Sequence, residues 1–147
     1  MIDQHRKWLE EDVVYLISPT EKAIFTALGT TEERDRFILQ FWQRVGLDVK
    51  EEHYKRISTA NKRFGWRGRG AAVAGWKSDR GKMYILYGPP DEIDSHKVGV
   101  GATARSGPFE IWRYSHINRV GDNVELMFSD PNGDGEYRLA STPPERR

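Results

Sequence analysis

Between Asp91 and His96 the chain places three carboxylates and an imidazole: Asp91, Glu92, Asp94 and His96. Hard oxygen donors with a histidine can hold a divalent cation. A carboxylate beside an imidazole is also an acid/base pair. A hydrolase would draw on Asp79, Asp91 or Glu92 with His96, provided that at least two of them meet in one concave pocket. Against this, the spacing matches no established ligand pattern, and a solvated turn whose charges point apart is the expectation. Asp130-Pro131-Asn132-Gly133-Asp134-Gly135 follows the first half of a calcium loop, D-x-N-x-D-G. Its twelfth position is Ser141 rather than a glutamate, and its flanks read as strands where a calcium loop needs helices, so a hairpin turn is expected. Phe64-Gly65-Trp66-Arg67-Gly68-Arg69 mixes aromatics with arginines, as some RNA-binding segments do. Two arginines make a small patch, and a linker is the expectation there. His53 and Tyr54 stand beside Glu51 and Glu52 without HExxH spacing, and no Ser/His/Asp grouping assembles. No catalytic residue, no metal and no cofactor is therefore assigned.

The elements that would position these residues fall into two halves. Residues 3–16 carry Trp8, Leu9, Val13 and Leu16 at helical spacing. Ser18-Pro19-Thr20-Glu21 is a capping box with proline at the first helical position, opening a helix with Ile24, Phe25 and Leu28 that stops at Gly29. Thr30 to Glu33 repeats that logic ahead of the stripe Phe37, Ile38, Phe41, Trp42 and Val45, ended by Gly46. A fourth helix starts at Asp48 and presents Tyr54, Ile57, Ala60, Asn61 and Phe64. Then the period changes. Met83, Ile85 and Tyr87 alternate with Tyr84 and Leu86, predicting a strand that Gly88-Pro89-Pro90-Asp91 must end. Residues 95–108 read as a loop, and Phe109–Ser115, Val124–Phe128 and Glu136–Ala140 as three further strands in an antiparallel meander. Helices first and strands afterwards predict an α+β fold, about four N-terminal helices packed on a C-terminal, mainly antiparallel sheet of about four strands.

A chain of 147 residues suits one domain, divided into a helical region over residues 1–64, a linker over 65–75, a strand region over 76–140 and a tail over 141–147. With 37% apolar and 12% aromatic residues, the core must rest on a few large rings, each burying about 150–250 Å². A formal net charge of +1 gives no drive toward nucleic acid or acidic membranes. The absence of cysteine excludes disulfides, thiolate metal sites and cysteine nucleophiles. No apolar run reaches the length of about 18 residues that a membrane span needs, which predicts a soluble domain. The start MIDQHRKWLEEDV lacks a signal-peptide core; either the protein is cytoplasmic or its targeting segment lies outside this chain.

Gly75-Trp76-Lys77-Ser78-Asp79-Arg80-Gly81 through Tyr87-Gly88-Pro89-Pro90-Asp91-Glu92-Ile93 resembles the signature of the GWxTD domain family. Spaced matches extend the resemblance over most of the chain: Trp8–Val13, Glu33–Ile38 with Phe41-Trp42, Glu51–Ile57 with Ala60-Asn61, Ser95-His96, Phe109–Tyr114 and Gly135–Arg138. Ser78 replaces the threonine of the family name but keeps a hydroxyl. The connection Val45–Val49 is shorter than in relatives. The resemblance implies a bacterial envelope or secreted protein, periplasmic or exported, and brings no activity with it. Clustered Trp, Tyr, Arg and Pro without a nucleophile or metal set predict a non-enzymatic protein-binding or structural module, contacting another protein or an adjacent domain. Its surface would comprise Trp76, Ser78, Asp79, Arg80, Tyr87, Pro89, Pro90, Asp91, Glu92, His96, Trp112 and Tyr114. The competing reading of Trp76–Gly81 is structural: Ser78 or Asp79 bonds backbone amides in a turn, and Trp76 packs on the helices.

Overall fold

A computed structural model of the chain describes residues 1–67, 72–97 and 107–140. The expected tail with Ser141, most of the expected loop 95–108 and Gly68–Arg69 of the aromatic-arginine segment lie outside the described residues. The chain divides into two compact units, Met1–Lys55 and Arg56–Arg147.

The first unit is helical. Helix α1, Asp3–Lys7, runs straight into a π-helical turn, Trp8–Asp12, in which Val13 N–H donates back to the Trp8 carbonyl at 3.1 Å. The widened turn lets Trp8, Leu9 and Val13 all enter the core, whereas Leu16, expected on the same stripe, is exposed. Helix α2, Pro19–Ala27, is opened by the expected capping box: Ser18 Oγ accepts from Glu21 N–H at 3.1 Å, and Glu21 Oε1 accepts from Ser18 N–H at 3.0 Å. At its other end, the buried Arg34 donates to the carbonyls of Phe25, Thr26 and Leu28, satisfying acceptors that the helix leaves open. Helix α3, Thr31–Val45, is capped by Thr30 and stopped by Gly46 at φ 115°. Helix α4, Leu47–Arg63, begins in this unit. The core is built from Trp8, Leu9, Val13, Phe25, Phe41 and Trp42, with Trp8 ring to ring with Phe25 at 5.1 Å and Phe41 at 5.3 Å.

The second unit contains the last turns of α4, a short ribbon of β1, Trp66–Arg67, with β2, Ala72–Val73, a 3-10 turn over Gly75–Lys77, and helix α5, Asp79–Tyr87. Four strands follow: β3, Glu92–His96; β4, Phe109–Ile117; β5, Gly121–Ser129; and β6, Arg138–Leu139. They form an antiparallel meander in the order β3-β4-β5-β6. The class is α+β, with helices mostly N-terminal and a four-stranded antiparallel sheet, as the order of elements predicts. Val124, Leu126 and Phe128 alternate into the core beside Trp112 and Tyr114.

Two elements differ from the expectation. Met83–Tyr87, predicted as a strand, is the body of α5, and the fourth strand is instead Glu92–His96, predicted as a turn. Five apolar residues with no polar alternation cannot separate a period of 2 from one of 3.6. The deciding signal lies upstream, where Ser78 Oγ accepts from Gly81 N–H at 3.0 Å as an N-cap and Asp79 occupies the first turn. Gly88, at φ 80°, and the two prolines do end the element where expected, but the element they end is a helix.

Candidate functional site

The signature segment folds back on itself over very short distances. A Cβ on Gly75 would stand 1.9 Å from the Ala60 carbonyl oxygen, and one on Gly81 would stand 1.7 Å from the Gly75 carbonyl oxygen. The 3-10 turn therefore rests on the α4 backbone, and the first turn of α5 rests on the 3-10 turn. Polar groups fasten each layer. Trp76 N–H donates to Asn61 Oδ1 at 2.9 Å, and Ser78 Oγ, besides capping α5, donates to the Gly75 carbonyl at 2.8 Å. Asp79 Oδ2 accepts from Leu139 N–H at 2.7 Å, tying α5 to β6.

Arg80 is held more tightly still. Its guanidinium carbon lies 4.1 Å from the centre of the Tyr137 ring and 5.1 Å from that of Phe64, within cation–π range of both. Its Nη1 donates to Glu110 Oε2 at 3.2 Å. Glu110 accepts in addition from Trp112 Nε1 at 3.0 Å and from Ser95 Oγ at 3.2 Å. The paired side chains are only 13% and 14% exposed. Burial, then the Glu110 charge, pushes the Tyr137 phenol up, with Arg80 opposing. What remains open is a cleft of about 80 Å³ beside Lys77, Asp79, Arg80, Tyr137 and Arg138.

Beyond the prolines the charges disperse. Tyr114 OH donates to the Gly88 carbonyl at 2.7 Å, and burial pushes its phenol up. Asp91 Oδ2 accepts from both the hydroxyl and the N–H of Ser115 at 2.6 Å, which caps the β4 edge where β3 has not yet begun. His96 Nε2 lies 3.0 Å from Asp94 Oδ1, and its ring stacks on Phe109 at 4.4 Å. Arg113 stands between Glu92, Asp94 and Glu125 at 3.8, 3.6 and 3.1 Å. Asp79, Asp91 and His96 thus serve three different partners, and among the described residues no group of three or more His, Asp or Glu is placed to hold a metal ion. In the Asp130 turn both carboxylate oxygens accept backbone amides, from Asp134 at 3.1 Å and Gly135 at 2.9 Å, the geometry of a turn cap. Phe64 of the aromatic-arginine segment is a core residue, and His53 is buried with Nε2 2.6 Å from the Asp12 carbonyl.

Of the residues assigned to a surface, Trp76, Tyr87 and Pro90 are half-buried and Pro89 and Glu92 exposed, whereas Trp112 and Tyr114 lie in the core. Sequence reasoning assigned no role to Asn61, Glu110, Ser115 or Tyr137. Three of these, Asn61, Glu110 and Tyr137, fall inside the spaced family matches, and here they converge on one clasp around the signature.

The Ser115 hydroxyl, then its N–H, holds the Asp91 carboxyl below its ordinary value of 3.8. A carboxylate depressed in the folded state contributes stability above its unfolded value and loses it as pH falls through the folded one. The stability advantage of wild type over Asp91→Asn should therefore be constant near neutrality and be lost progressively as the pH falls below about 5. Urea midpoints of the two proteins across that range measure it.

These features define an α+β domain in which a glycine-bounded 3-10 turn and a short capped helix are clasped to a four-stranded sheet. The chain belongs to the GWxTD domain family, whose model matches residues 3–142. No curated protein matches it, and no solved structure does. No helix among the described residues is long and apolar enough to cross a membrane.

Proposed function

We propose that this chain is a non-enzymatic protein-binding or structural module, one domain over residues 1–147, of a bacterial envelope or secreted protein. The observation that carries the reading is the use to which the signature puts its chemistry. Ser78, Asp79, Arg80 and Asp91 each satisfy an internal partner, and groups committed to holding a fold together are poor candidates for turnover. The same clasp presents a rim, with Trp76 under the Lys77 ammonium at 5.4 Å and the exposed Pro89 at the end of α5. A half-buried indole beside an ammonium at the start of α5, with an exposed proline past its other end, suits contact with another protein or an adjacent domain.

Two variants test the two halves of this reading. Asp79→Ala removes the bond to Leu139 and should lower stability by about 1 kcal/mol, seen as a reduced urea midpoint. A midpoint unchanged by that variant would remove the structural role. Trp76→Ala should stay folded and recover less partner from envelope extract than wild type. Equal recovery by the folded variant would sink the binding half.

A further inference from the structure

Within Met1–Lys55 lies a cleft of about 420 Å³, inside the range of roughly 300–1,000 Å³ that suits a small molecule. It opens between α1 with its π turn, α3 and α4. The floor is apolar: Ile38 is half-buried, and Trp8 and Trp42, 4% and 2% exposed, line it. The rim is polar. Asp12 accepts from Lys7 Nζ at 3.0 Å and from Tyr54 OH at 2.8 Å. Its charge is thus matched by one ammonium and its second oxygen by a phenol. The bond to Asp12 raises Lys7, and burial followed by that same carboxylate raises Tyr54, so both keep their protons at neutral pH. The π turn is what carries Asp12 to this position, and such turns recur where a helix serves a site.

One charge is left over. Lys50 stands one helical turn before Tyr54 on α4, is exposed, and among the described residues its ammonium has neither ion pair nor hydrogen bond. Among the lining side chains two cations, Lys7 and Lys50, stand against one anion, Asp12; Glu11 acts on Lys7 from outside the lining, and Lys50 is the cation left without a bonded partner beside the apolar floor. We propose that this cleft binds a small monocarboxylate with an apolar body, its head at Lys50 and its hydrocarbon over Ile38 and the two indoles. A cationic amphiphile would meet Lys7 and Lys50, and a polar anion would leave the floor uncovered. The single unmatched charge fits one carboxylate better than a phosphodiester chain or an acidic peptide.

Titration calorimetry of the full chain tests this with three probes of equal length: decanoate, decanol and decyltrimethylammonium. Decanoate should bind saturably at one site, about fivefold tighter than decanol, the upper reach of an exposed ion pair. The ammonium probe should not saturate. Lys50→Gln, at an exposed position, should bring decanoate down to the affinity of decanol and leave decanol unchanged. Ile38→Ser should weaken both, with melting curves confirming that each variant is folded. Equal binding of decanoate and decanol by wild type, a Lys50→Gln variant that binds decanoate as wild type does, or no saturation by any probe would each overturn the assignment.

Discussion

Gly75→Ala and Gly81→Ala should each cost about 3 kcal/mol or more, among the largest effects available to a single methyl group. The added carbon would meet backbone in both cases, at 1.9 Å from the Ala60 carbonyl oxygen and 1.7 Å from that of Gly75. A flexible side chain could swing away from such a contact. A carbonyl already fixed in a helix or a turn cannot, so relief requires the 3-10 turn to lift from α4 or α5 to lift from the turn. Either movement would break the Ser78 bonds to Gly75 and Gly81 and the Asn61 bond to Trp76. Gly29→Ala is the control, because its added carbon meets only Glu33 Oε1 at an ordinary 3.7 Å. That variant should stay within about 0.5 kcal/mol of wild type. Urea midpoints followed by tryptophan fluorescence compare all three. Signature variants as stable as the control would show that the close approach is not what the glycines are for.

The same contacts explain what could be read in the amino-acid sequence. Helices α2 and α3 were legible because their signals are local: a hydroxyl and a glutamate three residues apart, then an apolar stripe, then a glycine at Gly46. β5 was legible because Val124, Leu126 and Phe128 keep strict alternation over a half-buried sheet. The helix at Asp79–Tyr87 was not, since Met-Tyr-Ile-Leu-Tyr is apolar on every face and β-rich by propensity. A cap at Ser78 and a glycine brake outweighed that propensity. The clasp was illegible for a different reason. Arg80 finds Glu110 thirty residues on, Asp79 finds Leu139 sixty residues on, and Asp91 finds Ser115 twenty-four residues on. No periodicity connects such pairs. The motif marked where the clasp begins, and only the fold supplied the residues that close it.

Arg80→Met should lower stability by about 3 kcal/mol. Methionine keeps an apolar stem of similar length, so the loss reports on the guanidinium group rather than on the stem. Removing the guanidinium forfeits two ring contacts and leaves the Glu110 carboxylate without its ion-pair partner at 14% exposure. Breaking a buried pair from one side costs more than the pair is worth, because the remaining charge stays desolvated. Glu110 is not wholly abandoned, since Trp112 Nε1–H and the Ser95 hydroxyl still donate to it, which holds the cost at the lower end for such a break. Glu110→Gln alone should cost less than Arg80→Met, because a guanidinium between two aromatic faces remains partly solvated and attracted to them. The double variant should recover part of the Arg80→Met loss, since an amide tolerates the half-buried position without a counter-charge. Four urea transitions complete the double-mutant cycle. Recovery in the double variant would place the cost in the stranded carboxylate. A strictly additive cycle would instead place it in the rings, making Arg80 a packing residue that happens to be charged, and would return Glu110 to the pool of groups able to meet a partner at the rim of the signature.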